Sequence, residues 1–161
     1  MKTILTAAAG ALALFGTAAA QEGHASIGVQ VNEGFDDVGV VGRGGYDFTP
    51  TFGLEGEVSY TPVEVFDIDA DVLIYGVFAK AQTNVTPRVS VFGRVGYGGV
   101  TVDADGFDSE TEGGFGYGVG AEFALNQTGG IRTDYTRYDG DGFEEGFFSV
   151  SYVFRFGGTQ Q

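Results

Sequence analysis

Cysteine is absent from the 161 residues, as is tryptophan. No disulfide framework and no thiol chemistry can be built from such a chain. A single histidine, His24, leaves no Cys/His cluster to hold a transition metal. Basic residues are scarce: Lys+Arg number 8 against 22 Asp+Glu, giving a net charge of −14 at pH 7. Nucleic acid is excluded as a partner, because phosphate contacts need basic patches. No apolar run after residue 20 is long enough for a spanning helix. What is plentiful is glycine, at 29 residues, with no collagen period or low-complexity tract, together with 15 Phe and 8 Tyr. The length is that of one domain.

The N-terminus reads as a signal peptide. Lys2 supplies the positive region, Ile4 to Phe15 a short apolar run, and "TAAAQ" an A-x-A site with cleavage after Ala20. The run is too short for a membrane-spanning helix. The expected organisation is a signal peptide over 1–20 and one domain over 21–161.

From Gln21 onward, segments of period two recur. "FFSVSYVFRF" (147–156) places Phe148, Val150, Tyr152, Phe154 and Phe156 on one face, with Ser149, Ser151 and Arg155 on the other. Seven earlier segments behave alike. Ile27 and Val29 oppose Ser26, Gly28 and Gln30. Val38, Val40, Tyr46 and Phe48 oppose Arg43 and Asp47. Phe52, Leu54, Val58 and Tyr60 oppose Glu55, Glu57 and Ser59. Leu73, Tyr75, Val77 and Ala79 are set apart from Lys80, and Val89, Val91, Val95 and Tyr97 from Arg88, Ser90, Arg94 and Gly96. Phe115, Tyr117, Val119, Ala121 and Phe123 oppose Gly116, Gly118, Gly120 and Glu122, while Ile131 and Tyr135 oppose Arg132 and Asp134. Eight strands result, each about as long as a tilted strand crossing a bilayer.

The connections alternate in kind. "TPT" (49–51), "QTNVTP" (82–87) and "NQTGG" (126–130) are short, rich in turn residues and free of acids. The other four carry Glu33, Asp36 and Asp37; Glu64, Asp67, Asp69 and Asp71; Asp103, Asp105, Asp108, Glu110 and Glu112; and Asp139, Asp141, Glu144 and Glu145. An antiparallel meander brings these sixteen acids to one end.

A soluble lipocalin-like barrel would also alternate, with its apolar face inward. Three features favour the apolar face outward. The polar face is rich in Gly, which weakens a water-facing strand but leaves room inside a narrow barrel. Arg43, Lys80, Arg88, Arg94, Arg132 and Arg155 nearly balance Asp47, Glu55, Glu57, Glu122 and Asp134 there, as buried charges require. Aromatics gather toward strand ends, as in an interfacial girdle. The expected fold is an all-β, eight-stranded, antiparallel up-and-down transmembrane β-barrel. Its interior is expected to hold an ion-pair network of Glu55, Glu57, Arg94, Glu122, Arg132 and Arg155.

On "GVVGRGGYDF", "FGRVGYGG", "IRTDYTRY" and the terminal "SYVFRF", the chain resembles the small outer-membrane β-barrel family, the OmpA-like and opacity-protein group. That resemblance covers residues 21–161. It implies a bacterial outer-membrane location, outer-membrane lipid around the barrel, termini and short turns in the periplasm, and long loops at the surface. It also implies that the barrel-assembly machinery reads the C-terminal aromatic strand; here "GGTQQ" follows Phe156.

No catalytic, cofactor-binding or metal-binding residue is assigned. His24 is expected at the periplasmic rim, with no partner groups for a triad. "DADGFD" and "DGDGFEE" lack the spacing of a calcium loop. "GYGVGA" lies within a strand and precedes no helix, so it is no dinucleotide loop. The sequons "NVT" and "NQT" fall in the short turns. A non-enzymatic, monomeric barrel with a structural or surface-interaction role is expected, with a small porin or channel as the alternative. Divalent cations are expected to associate weakly with the acidic loops, and Arg137, on the lipid-facing side, to reach a lipid phosphate.

Overall fold

A computed structural model of the chain describes residues 22–33, 37–65, 68–104, 110–140 and 143–157. Every regular element among them is a strand: β1 Glu22–Asn32, β2 Val38–Asp47, β3 Phe52–Val65, β4 Ile68–Thr86, β5 Val89–Ala104, β6 Glu110–Ala124, β7 Gly129–Gly140 and β8 Phe143–Phe156. Each pairs antiparallel with its sequence neighbours, and β8 pairs with β1, so the sheet closes.

Closure fixes the dimensions. Partners can be followed from Glu22 through Asp47, Gly53, Lys80, Arg94, Gly118, Thr136 and Phe147, returning to β1 at Asn32. The circuit gains 32 − 22 = 10 residues. An even shift keeps inward residues inward all the way round. With ten residues of shear over eight strands, the strands tilt by about 40° and the backbone cylinder has a radius of about 8 Å. Side chains alone can fill such a bore.

The faces point as the alternation predicts. Ile27, Val40, Leu54, Val77, Val95, Val119 and Val150 are exposed on the outside, Val119 at 64%. Tyr46, Phe48, Phe52, Phe123, Phe154 and Phe156 ring the short-turn end; Tyr60, Tyr75, Tyr97, Phe115 and Tyr117 ring the long-loop end. Two aromatic belts around an aliphatic band match the two interfaces of a membrane. Inside, glycine makes room for bulk: a Cβ on Gly116 would come within 2.7 Å of the Phe78 ring, and one on Gly120 within 2.4 Å of Phe92.

The wall is uneven at the long-loop end. Pairing between β2 and β3 stops at Val40–Tyr60, and pairing between β6 and β7 at Gly114–Gly140. The β3–β4, β4–β5 and β5–β6 ladders continue to Val65–Ile68, Ala70–Ala104 and Val102–Glu110. The β3–β6 side therefore rises beyond the rest.

Two local expectations are corrected. "QTNVTP" is not all turn: β4 runs through Gln82–Thr86, with a bulge between Asn84 and Thr86, and the turn sits at Pro87–Arg88. Thr86 Oγ1 accepts from the Arg88 and Val89 amides there, and Pro87 presets the φ angle the turn needs. Arg88 is accordingly an exposed turn residue instead of an inward strand residue. The Ala20 cleavage site and the loop acids Asp36, Asp67, Asp105, Asp108 and Asp141 lie outside the described residues.

Outward residues should respond to depth. Val119→Arg and Val150→Arg, mid-wall, should each cost about 2–4 kcal/mol in denaturant unfolding from lipid vesicles, and Val91→Arg, near the short turns, distinctly less. Equal losses at all three would be incompatible with a lipid-facing band.

Candidate functional site: the charged interior

Three inward arginines and three inward acids meet at mid-barrel. β2 contributes Arg43, β5 Arg94 and β7 Arg132; β3 contributes Glu55 and Glu57, and β7 Asp134. Glu55 is 0% and Arg132 1% exposed. Arg43 Nε lies 2.5 Å from Glu57 Oε2, and its Nη2 3.0 Å from Asp134 Oδ2. Arg94 Nη1 is 2.9 Å from Glu55 Oε1, and its Nη2 2.6 Å from Glu57 Oε2. Arg132 reaches Glu55 Oε2 at 2.5 Å and Asp134 Oδ1 at 3.0 Å. Spare donors are taken by Ser149, Ser151 and Thr136. Tyr138 donates its hydroxyl to Glu57. Three cations meet three anions, so this girder is neutral and its groups are hydrogen-bonded, the condition under which charges tolerate burial.

Aromatic rings close it above and below. Arg94 Cζ stands 4.4 Å from the Phe78 ring centroid and Arg132 Cζ 4.2 Å from that of Phe92, cation–π contacts that cover the guanidinium faces. On the long-loop side, Ile74, Phe78, Val100, Tyr138 and Phe147 pack into a buried apolar cluster. The inside thus has an apolar plug over a charged girder.

Below the girder the bore opens into a vestibule of about 720 Å³ at the short-turn end. Glu22, His24, Asp47, Lys80, Glu122 and Arg155 are among its lining residues. Lys80 Nζ lies 3.0 Å from Asp47 Oδ1, while Arg155 pairs with Glu122 and stands 3.4 Å from Glu22 Oε1.

The six residues expected to form one network therefore divide. Glu55, Glu57, Arg94 and Arg132 meet in the girder, whereas Glu122 and Arg155 pair separately in the vestibule. Arg43 and Asp134 complete the girder. Their inward parity was legible, but strand register decides who meets whom, and composition does not encode register. His24 does lie at the short-turn end, yet it is no rim residue: it is 5% exposed, with Nε2 3.2 Å from Glu55 Oε2. Arg137 is on the outer face as expected, but the chain's own acids take it. It binds Glu33 at 3.1 Å and also Glu144, with Tyr135 completing the cluster. No group of three or more His, Cys, Asp or Glu able to hold a metal occurs among the described residues.

A closed barrel with an apolar exterior, two aromatic belts and a paired-charge interior defines an integral transmembrane β-barrel. The sequence matches the model of the outer membrane protein beta-barrel domain over residues 4–156, and the chain belongs to that family of the bacterial outer membrane. Solved structures agree on the fold. Ail, the attachment invasion locus protein of Yersinia pestis, is 23% identical, with 85% of this chain and 99% of that one covered and a TM-score of 0.63. The N-terminal beta-barrel domain of Pseudomonas aeruginosa OprF is 12% identical over 86% and 100% of the two chains, with a TM-score of 0.68. OprG of the same organism is 11% identical over 86% and 97%, with a TM-score of 0.66. No curated protein sequence matches the chain significantly.

Breaking the girder should cost more than shrinking it. Arg94→Met leaves three acids against two arginines, and should destabilise by about 3–5 kcal/mol. Adding Glu57→Gln restores neutrality and should recover part of that loss. Unfolding in detergent or vesicles checks this: additive losses would mean the groups are solvated independently.

Proposed function

We propose that this chain is a non-enzymatic outer-membrane barrel whose role is structural or surface-interacting, and which does not conduct. The observation that carries this reading is the filled interior: the girder and the Ile74–Phe147 cluster stand in series across the bore. A diffusion channel needs a continuous aqueous path, and an eight-stranded bore of this shear leaves little space beyond its own side chains.

The long-loop end supports the interaction half of the reading. The β3–β6 side rises above the remaining strands. The connections at that end and the strand ends that flank them hold sixteen of the 22 acids in the sequence. A rim so charged selects partners by sign and repels anionic headgroups. Divalent cations condense on it as a diffuse atmosphere, stronger than sodium at equal ionic strength. In the same reading the short turns face the periplasm, the signal peptide is removed after Ala20, β8 with its aromatic outer face is what the assembly machinery reads, and the barrel acts as a monomer.

Planar-bilayer recordings of the purified protein test the central part. The expected record is silent apart from rare brief events; steady large openings would favour the channel reading. Binding to intact cells or envelope proteins should weaken when the 103–112 loop is shortened and be unaffected by changes in the vestibule.

A further inference from the structure

His24 occupies a position that a neutral side chain fits poorly. Its ring lies across Gly45 of β2, where a Cβ would come within 2.4 Å of Nε2 and 2.5 Å of Cε1. Nε2 is 3.2 Å from Glu55 Oε2, and Glu55 also accepts from Arg94 and Arg132. A carboxylate bound by two guanidinium groups is ionised and offers only acceptors, so Nε2 must carry a hydrogen. Nδ1 then decides the matter. It is buried, makes no hydrogen bond and faces Asp47 Oδ2 at 3.6 Å. In the neutral ring Nδ1 would present a lone pair to a carboxylate, so two acceptors would oppose each other. In the imidazolium both nitrogens donate.

Charges of both signs surround the ring. The girder and vestibule hold Glu22, Asp47, Glu55, Glu57, Glu122 and Asp134 beside Arg43, Lys80, Arg94, Arg132 and Arg155, with Arg88 lining the vestibule from the turn. Every element against His24 contributes. On β1 itself there is Glu22; β2 brings Arg43 and Asp47; β3 brings Glu55; β8 brings Arg155, its register partner. From across the bore, Lys80 of β4 is bound to Asp47, and Arg94 of β5 and Arg132 of β7 are bound to Glu55.

We propose that His24 is held as an imidazolium, donating Nε2–H to Glu55 and turning Nδ1–H toward the Asp47 carboxylate. It is a positioning residue: it ties the floor of the vestibule, through Asp47 and Lys80, to the girder, through Glu55. A bridging metal ion would find only two ligands, His24 and Asp47, and meet the Lys80 ammonium beside them.

His24 is the one imidazole in the sequence, so an untagged, nitrogen-15-labelled barrel gives an assignable histidine signal. In nanodiscs at neutral pH, with a chelator present, both ring nitrogens should show shifts of the protonated type. A bare nitrogen on either side of the ring overturns the proposal, and so does a signal that changes when chelator is added. Stability gives a second readout, from the folded and unfolded bands of unboiled gels. His24→Gln, which keeps a donor but not the charge, should raise the unfolding constant roughly tenfold to a hundredfold, the scale of a charged hydrogen bond. His24→Lys should recover much of that loss. A glutamine variant as stable as the parent, alongside an unstable lysine variant, would contradict a role for the charge.

Discussion

Closing eight strands with a shift of ten residues is the constraint from which the rest of this molecule follows. In hydrocarbon every backbone amide and carbonyl needs a partner, and a strand can provide this only in a sheet without edges. Closure at this strand number and shear sets a bore that side chains fill. The interior must then be packed residue against residue across it. Glycine on one wall therefore faces bulk on another, as with Gly116 beside Phe78 and Gly120 beside Phe92.

Filling such a bore with charge is not the most stabilising choice, since an apolar core of equal volume is often as good or better. Export supplies a reason for it. A strand apolar on both faces would form a continuous apolar run, and the longest, the 19-residue β4, would reach the length of a candidate spanning helix before arriving at the outer membrane. Inward Arg, Glu and Ser keep each segment below that threshold while folding still pairs every charge. The arginines suit the task because each planar fork serves several acceptors at once: Arg94 alone reaches Glu55, Glu57, Asp134 and Thr136. Neutrality inside and acidity at the rim thus have separate causes. The inside is balanced because burial demands it; the rim, in water, is free to carry a single sign.

Much of this was legible in the sequence, for a physical reason. Parity in a strand is a local property, so the outward Val119 and the inward Arg132 can be assigned from their own segments. Register is not local. Arg43 joined Glu57 and Asp134, and Glu122 left the central network for Arg155, because of shifts set jointly by seven other strands. Inward apolar residues were also hidden. Ile74 and Phe78 sit in a segment apolar at nearly every position, where Lys80 alone marked the inner face. His24 carried no periodic signal beyond its even position in β1. Its burial depends on Gly45, a glycine on another strand. Polar "QTNVT" resembled a loop because inward Gln82 and Asn84 have the composition of a turn.

The absence of cysteine from the natural sequence makes the filled bore directly measurable. Single cysteines can replace Ser90, which lines the vestibule, and Ser149, which is 3% exposed and receives a guanidinium hydrogen from Arg43. Each variant, reconstituted in vesicles, would be treated with a small membrane-impermeant thiol reagent from either side. Ser90→Cys should react from the short-turn side only, and Ser149→Cys from neither side until the barrel is unfolded. Rapid labelling of folded Ser149→Cys from both sides would show a continuous water path through the girder and contradict a solid interior.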